Sequence, residues 1–401
     1  MKLKTFSALQ HRNYRLFFIG QALSLTGTWM HSVAQGWLVL KLTDSAFFLS
    51  LVSAVGSLPV LFLSLIGGVV ADRVPKRNLI LLAQTLSMLL AFSLAMLVAL
   101  DAIRVWQIIM IAGLLGIVNT FDIPARQAFI VEMVGKEDLM NGIALNSAMF
   151  NGARIVGPAL AGLLIGYLGL TPCFFINSAS YIAIIIGLLM MDIKPTVKRE
   201  FHPVLKELAE GISYVRNAPS VLWFIVMVAM TSLFAIPYIA LMPIFARDIL
   251  HIGAKGLGLM MGASGVGALV GALTIASFGS VKRKGRTAFM AGIIANLALI
   301  GLSFSRAPFL SCLLLMFVGW GMISMLATVN TAIQDDVPDH LRGRVMSLYS
   351  LVFLGFTPIG NLIVGAVAHY YGTPFAVALG ATICIVTYVL IALSHKELLA
   401  R

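Results

Sequence analysis

The chain has 401 residues, of which 60% are hydrophobic and only 11% charged, and its mean hydropathy is +0.97. A soluble protein of this size needs more charged residues on its surface than this chain has. The composition therefore indicates an integral membrane protein. The net charge of +12 comes from short basic clusters between apolar runs, and the absence of one continuous basic face argues against a nucleic-acid-binding protein.

Twelve apolar segments are each long enough to cross a hydrocarbon core of about 30 Å, which takes roughly 20 residues of helix. The basic first residues lead into an apolar stretch that is too long for a secretion signal, so we interpret it as a retained first span. The predicted spans are 14–40, 45–71, 78–100, 104–125, 138–166, 172–192, 219–246, 254–279, 286–305, 309–334, 343–370 and 373–394.

The distribution of basic residues predicts the orientation of these spans. Of the 28 Lys and Arg residues, 22 fall on the side of the termini and five on the opposite side, while Arg154 lies inside a span. Cytoplasmic loops carry the excess of Lys and Arg in membrane proteins. We therefore predict a multi-pass protein of the cell inner membrane with both its N- and C-termini in the cytoplasm.

Short internal matches indicate a duplication. The tripeptide at 118–120 in span 4 recurs at 329–331 in span 10, and the segment 169–172 after span 5 recurs at 372–374 after span 11. The predicted fold is therefore all-α, with twelve transmembrane helices in two parallel six-helix repeats. We predict an N-terminal bundle at 1–192, a C-terminal bundle at 219–401, and between them a cytoplasmic linker, 193–218, with an amphipathic helix.

The turn between spans 2 and 3 is a short charged segment, 67–77, between two apolar runs. Its glycines would let two helices approach closely, and its basic cluster would anchor the turn at an anionic leaflet. The segment resembles the G-x-x-x-D-R-x-G-R-R signature of major facilitator superfamily transporters, with a proline in place of one glycine. The signature positions are Gly68, Asp72, Arg73, Lys76 and Arg77.

Span 5 carries a second signature, in which small residues allow close packing and a proline bends the helix. Residues 153–162 resemble the G-x-x-x-G-P-x-x-G-G element of facilitator exporters, and its central positions are Gly157, Pro158 and Gly162. Together with 122–127, these segments resemble the branch that contains the enterobactin exporter and the macrolide-efflux proteins. That resemblance implies a drug:proton antiporter that exports amphipathic organic molecules such as drugs, macrolides or siderophores.

Polar residues inside apolar spans are candidates for a transport pathway, because a polar group in hydrocarbon is costly unless it is paired or hydrated. Span 1 places polar residues on one helical face, and span 5 does the same around Arg154. The alternative is ordinary hydrogen bonding between helices. The candidate substrate-binding residues are Thr28, His31, Gln35, Asn151, Arg154, Tyr238 and Asn330.

Asp122 lies near the predicted cytoplasmic end of span 4. The family resemblance implies that an acid at this position pairs with the arginines of the signature, Arg73 and Arg77, and that Arg126 could join this network. A solvated carboxylate at a helix end is the alternative. His31 titrates near neutral pH when unperturbed, so we predict proton coupling through His31 or through the Asp122 network.

Other chemistry is not indicated by the sequence. It contains no phosphate-binding loop and no metal-ligand spacing, and Cys173, Cys312 and Cys384 form no disulfide framework. We expect no cofactor, no metal and no enzymatic activity. The expected partners are a small amphipathic substrate, protons and the lipid bilayer, without nucleic acid, and the expected form is a monomer. The alternative function is a non-transporting sensor or scaffold, or an intramembrane enzyme.

Overall fold

A computed structural model describes residues 6–193, 204–277, 283–395 and 397 of the chain. Long helices make up this part of the chain, which contains no strand. We number the helices in chain order and treat Pro219–Ile249 as one. Their bounds are α1 Arg12–Thr43, α2 Ala46–Arg73, α3 Lys76–Ala99, α4 Val105–Val134, α5 Leu139–Leu168, α6 Thr171–Leu189, α7 Val204–Asn217, α8 Pro219–Ile249, α9 Gly253–Ser277, α10 Lys284–Phe304, α11 Pro308–Asp336, α12 Asp339–Tyr371 and α13 Thr373–Ser394.

Each predicted span coincides with one of these helices. Within the described residues, eleven helices are long and apolar enough to cross a membrane. The helix α1 is long enough, at 32 residues, but is not among the eleven. Its face of polar residues, which includes Thr28, His31 and Gln35, lowers its hydropathy. The predicted all-helical fold is confirmed, and α1 carries three of the seven candidate substrate-binding residues.

The helix α4 runs beyond the predicted end of span 4 at residue 125. It continues through Pro124 to Val134. Proline removes one backbone hydrogen bond, but inside a bundle neighbouring groups compensate for that loss. The extra turns carry Glu132 on the same helix as Asp122, and this places a second acid within the bundle.

The chain divides into two compact units, which differ from the predicted bundles at helix α2. Unit 1 comprises Met1–Thr43 and Leu58–Phe201, and unit 2 comprises Asp44–Ser57 and His202–Arg401. The first part of α2 therefore groups with unit 2, and Pro59 lies within the helix next to the point of division. The boundaries 1–192, 193–218 and 219–401 remain a prediction.

In unit 1, α1 packs against α4, α5 and α6, and α3 packs against α4 and α6. Gly27 lets α1 approach α6 closely, because a Cβ atom there would lie 2.5 Å from Ser180 Oγ and 2.8 Å from Asn177 Oδ1. Close approach through glycine is typical of helix packing in membranes. It brings the polar face of α1 against polar side chains of α6.

In unit 2, α11 packs against α9 and α10, and α10 also packs against α13. The helix α8 contains two π-helical turns, Thr231–Ala235 and Phe245–Ile249. The predicted linker contains the helix α7. Its amphipathic character stays a prediction, because the side chains of 204–208 lie outside the described part.

The helix α7 contacts the start of α12 and the end of α11. Glu210 forms an ion pair with Arg344, and the Tyr214 hydroxyl donates to the Asp336 carbonyl at 3.3 Å. Gly211 faces the Arg344 backbone so closely that a Cβ atom would lie 3.0 Å from its carbonyl oxygen. The linker helix is therefore held within unit 2 by specific contacts of residues 210–214.

Candidate functional site

His31 on α1 is buried and both of its ring nitrogens are engaged. Nδ1 lies 3.2 Å from Asn177 Nδ2, and Nε2 lies 3.0 Å from Gln35 Oε1. The Phe174 ring packs edge-on against the imidazole, with centroids 5.1 Å apart. An amide NH2 group only donates, so Nδ1 accepts from Asn177 while Nε2 donates to Gln35. This arrangement holds the imidazole in its neutral form.

Asp122 on α4 is also buried, at 3% exposure. Its Oδ1 accepts a hydrogen bond from Gln84 Nε2 of α3 at 3.1 Å, and its Oδ2 lies 2.8 Å from Arg126 Nε, one turn further along α4. Ser24 on α1 donates to Gln84 Oε1 at 3.4 Å. A buried carboxylate needs such partners to remain ionised.

Tyr181 of α6 lies between these two groups. Its hydroxyl lies 3.4 Å from Thr28 Oγ1, and Thr28 in turn donates to the Ser24 carbonyl at 2.9 Å. A polar network therefore joins α1, α3, α4 and α6 inside unit 1. We call it the unit 1 polar network, and its members are Ser24, Thr28, His31, Gln35, Gln84, Asp122, Arg126, Asn177 and Tyr181.

The predicted pairing of Asp122 with the arginines of the signature is not what the structure shows for Arg77. Arg77 Nε donates to the Leu188 carbonyl at 2.6 Å and Nη2 to the Leu189 carbonyl at 3.1 Å. It thereby binds carbonyls at the C-terminal end of α6, where a cation is favoured. Arg126 takes the place beside Asp122 because it is one turn away on the same helix.

The remaining signature residues have separate positions. Lys76 Nζ forms an ion pair with Glu132 Oε1 at 2.7 Å, and Arg73 is exposed at the end of α2. The Asp72 side chain lies outside the described part. Gly68 is not at a close helix contact among the described residues, since a Cβ atom on it would meet nothing within 4 Å. Its neighbour Gly67 is the buried glycine, packed against the Thr120 carbonyl.

The Lys76–Glu132 pair leads to a prediction about stability. The two side chains are only 14% and 10% exposed, and removing one partner of a buried pair costs about 3–5 kcal/mol. We expect Lys76→Met to lower the thermal unfolding temperature of the purified protein. Lys284→Met is the control, because Lys284 pairs with Asp335, which is 57% exposed, and such pairs contribute about 0–1 kcal/mol. Equal losses in the two variants would contradict a stabilising role of the buried pair.

Arg154 on α5 lies over an aromatic side chain of α1. Its Cζ atom is 5.9 Å from the centroid of the Trp29 ring, which also contacts Phe150 edge-on at 5.7 Å. Within the described ranges, no carboxylate forms an ion pair with Arg154. Asn151 Nδ2, one turn earlier, donates to the Ser147 carbonyl at 2.9 Å.

The glycine–proline element of span 5 lies at the contact between α5 and α1. Gly157, Pro158 and Gly162 are buried. A Cβ atom on Gly157 would lie 2.6 Å from Trp29 Cβ and 2.7 Å from the Thr26 carbonyl oxygen. This glycine therefore sets the distance between the helix that carries Arg154 and the helix that carries His31.

The two predicted site residues of unit 2 are engaged in contacts within that unit. Tyr238 is buried and its hydroxyl lies 2.9 Å from Ser264 Oγ, so its ring packs between helices in this conformation. Asn330 is half-buried, and its Oδ1 accepts from Gln334 Nε2 at 2.6 Å. The substrate-binding roles of Tyr238 and Asn330 stay predictions.

Unit 2 contains a counterpart of the Thr28–Tyr181 contact. Thr231 on α8 hydrogen bonds to the Tyr388 hydroxyl on α13, as Thr28 on α1 does to Tyr181 on α6. One turn before each tyrosine stands a buried residue, Cys384 in α13 and Asn177 in α6. Among the described residues, no carboxylate and no histidine takes part in this Thr231–Tyr388 contact.

The described residues contain no group of three His, Cys, Asp or Glu side chains that could bind a metal ion.

Sequence reasoning missed Gln84, Asn177, Tyr181 and Glu132. The sequence did contain a signal for Gln84, Asn177 and Glu132, because their amide or acidic side chains interrupt otherwise apolar helices. The polar face of α1 and the depth of Arg154 were visible from spacing alone. The partners lie on other helices, and only the packing identifies them.

Comparisons with known proteins identify the family to which the chain belongs. A family model described as transmembrane secretion effector (MFS_3) matches residues 3–398. The chain is 24% identical to the staphyloferrin A transporter of Staphylococcus aureus (strain NCTC 8325 / PS 47), over 92% of this chain and 94% of the relative. It is 27% identical to the multidrug efflux pump Tap of Mycolicibacterium fortuitum, over 85% of each.

Two solved structures show the same fold at low sequence identity. The nucleoside transporter NupG superposes with a TM-score of 0.75 at 14% identity, over 97% of this chain and 99% of that one. The peptide-transporter-family protein PepTSo gives a TM-score of 0.72 at 14% identity, over 97% of this chain and 98% of that one. These likenesses support the twelve-helix transporter fold.

Proposed function

Because the chain belongs to the transmembrane secretion effector family of the major facilitator superfamily, we propose that it is a proton-coupled exporter of small amphipathic organic molecules. In this proposal it works by alternating access as a monomer in the cell inner membrane, with both termini in the cytoplasm. It carries out no enzymatic step and needs no cofactor.

One observation carries the coupling part of the proposal, namely the ion pair of the buried Asp122 with the half-buried Arg126 inside a membrane-spanning helix bundle. Ionisable groups at such a depth are expensive and mark ion or substrate pathways in membrane proteins. The pair is linked through Gln84 and Ser24 to the helix that carries His31. Protonation of Asp122 would release Arg126 from its partner, which gives the protein two states of different charge distribution.

The direction of transport is supported by the relatives and by the glycine–proline element. One relative is named a multidrug efflux pump and another a staphyloferrin A transporter. Gly157 and Pro158, which are buried in α5, belong to the segment that resembles the glycine–proline element of facilitator exporters. We therefore propose export, with drugs, macrolides and siderophores as candidate substrates.

A comparison of accumulation in cells tests this proposal. Cells that lack the protein are expected to accumulate a substrate that cells expressing it extrude, and a protonophore is expected to abolish the difference. Dyes, macrolides and siderophores are the probes. Equal accumulation of every probe with and without the protein, at verified membrane expression, would contradict the proposed export and favour a sensor, a scaffold or an enzyme.

The surroundings of the Arg154 side chain indicate which charge the substrate carries. Its guanidinium has an aromatic neighbour and no carboxylate partner among the described residues, and a cation in such surroundings favours an anionic or carbonyl-rich ligand. We therefore propose a neutral-to-anionic amphipathic substrate, such as a siderophore, in preference to a cationic drug.

This preference makes a prediction for Arg154→Gln. We expect export of catecholate siderophores to fall by about tenfold, a change of about 1.4 kcal/mol, while Arg154→Lys retains part of it because the charge remains. Arg104→Gln, at an exposed arginine before α4, serves as a control. Extrusion of cationic dyes alone, unaffected by Arg154→Gln, would overturn the assignment. The readout is accumulation of each probe at equal membrane levels of the variants.

A further inference from the structure

Asn177 is the only side chain of another helix that hydrogen bonds to the His31 ring in the described residues. It is buried in α6, and its Nδ2 group donates to His31 Nδ1 at 3.2 Å. Gly27 makes room for it, because a Cβ atom at that position would lie 2.8 Å from Asn177 Oδ1. The amide therefore occupies a space that the sequence of α1 keeps open.

The other end of this amide is unsatisfied. Asn177 Oδ1 is buried and accepts no hydrogen bond in the part of the chain that the structure describes. A buried polar atom without a partner costs about 1–3 kcal/mol, so such an atom needs an explanation. The neutral imidazole accepts a hydrogen bond from the Asn177 Nδ2 group and gives none to Oδ1, so that oxygen stays without a donor.

A protonated His31 would need the opposite arrangement. Both ring nitrogens of an imidazolium ion donate, so Nδ1–H would need an acceptor in place of the Asn177 NH2 group. Rotation of the amide by half a turn presents Oδ1 to Nδ1 and satisfies the atom that is unpaired in the neutral state. Nε2 keeps its hydrogen and its bond to Gln35 in both states.

We propose that Asn177 is a positioning residue for proton coupling: its amide donates to neutral His31 and, after rotation, accepts from protonated His31. The proton that binds Nδ1 comes from solvent on one side and is released to solvent on the other. No covalent bond changes other than this N–H bond. The inference rests on the proposed proton-coupled export and adds to it a residue that holds both protonation states.

Asn177 is the group near His31 that can accept a hydrogen bond from the protonated ring. Helices α4, α5 and α6 pack against α1, and within the described residues none of their ionisable groups hydrogen bonds to the imidazole. Along this polar stretch, those groups are Asp122, Arg126, Arg154, Cys173 and Tyr181. A charge on His31 therefore has no carboxylate beside it, and an amide oxygen is the available acceptor.

Two substitutions at Asn177 test the proposal in opposite directions. Asn177→Leu keeps the size but removes donor and acceptor, so pH-gradient-driven transport into proteoliposomes should fall about tenfold or more while downhill transport at equal pH remains. Asn177→Asp supplies a permanent acceptor, so the pH profile of transport should move to higher pH by about one unit. Gradient-driven and downhill flux of one tracer substrate are measured on the same preparations.

Two controls make the test specific. In a His31→Gln background, substitutions at Asn177 should cause no further change in the ratio of gradient-driven to downhill flux. Cys384→Ser changes the residue at the equivalent position of α13, whose thiol donates to the Met230 carbonyl at 3.3 Å, and should leave that ratio unchanged.

The outcomes separate this inference from the proposed function. If the wild-type protein shows no gradient-driven flux, the proposed function fails and the inference fails with it. If the wild-type protein is coupled but Asn177→Leu and Asn177→Asp keep its flux ratio and pH profile, only the inference is overturned. Equal reductions of both fluxes in both variants, with a lowered unfolding temperature, would assign Asn177 a merely structural role and would also overturn it.

Discussion

Asp122→Asn is expected to reduce transport by about tenfold or more, at an unchanged level of protein in the membrane. The substitution keeps the shape of the side chain and the contact with Gln84 but removes the charge that faces Arg126 Nε at 2.8 Å. Arg126 is then fixed in the state that protonation would otherwise produce only transiently. The measurement is substrate flux in proteoliposomes, normalised to the amount of inserted protein.

The control for this variant is another carboxylate in an ion pair. Asp335→Asn removes a charge at an exposed site, where the partner is Lys284, and should leave transport near the wild-type rate. Exchanging the two charges, as Asp122→Arg with Arg126→Asp, should recover part of the lost flux if their pairing is what matters. Wild-type flux in Asp122→Asn would remove this pair from the mechanism.

Gly157→Val is expected to disrupt the contact between α1 and α5. A Cβ atom alone would lie 2.6 Å from Trp29 Cβ and 2.7 Å from the Thr26 carbonyl oxygen, and the backbone oxygen cannot move independently of its helix. Overpacking of this kind costs about 1–3 kcal/mol or more. We expect a lower unfolding temperature in detergent and a loss of transport, because Arg154 and Trp29 no longer keep their relative positions.

The same helix supplies a matched control for this substitution. Gly152 is five residues earlier in α5, and a Cβ atom on it would meet nothing within 4 Å. Gly152→Val should therefore cost no more than a change of helix propensity. If both variants lose the same stability, close packing at Gly157 is not the cause of its effect.

The helices were predictable because their signal is local. Apolar length defines each span, and prolines and glycines mark most of the ends. The exception was α4, for which the predicted span ended at 125, whereas the helix contains Pro124 and reaches Val134. That extension placed Glu132 beside Lys76, a pairing that no sequence spacing indicated.

The candidate site was predictable only in part, because its contacts connect helices that are distant in sequence. The polar face of α1 could be identified from spacing, and the family resemblance drew attention to Asp122. Its partners Gln84 and Arg126 could not be ranked against the basic signature, since the sequence does not say which side chains reach the same depth. The family resemblance favoured Arg73 and Arg77, yet Arg77 binds carbonyls at the end of α6.

The two glycines next to each other in the signature illustrate the same limit. Either Gly67 or Gly68 could face a neighbouring helix, and the signature favoured Gly68. The register of α2 against α4 places Gly67 at the Thr120 carbonyl, while a Cβ atom on Gly68 would meet no described residue within 4 Å. One residue of helical rotation decides which glycine packs, and the sequence alone does not fix that rotation.

The most direct test of the account is proton movement during substrate transport. Purified protein in liposomes that contain a pH-sensitive dye is given a transported substrate on one side, with no initial pH gradient. We predict that substrate flow drives protons in the opposite direction in the wild-type protein and that Asp122→Asn abolishes this proton flow. Substrate flux without any accompanying change of internal pH, in well-sealed vesicles, would contradict coupling through the unit 1 polar network.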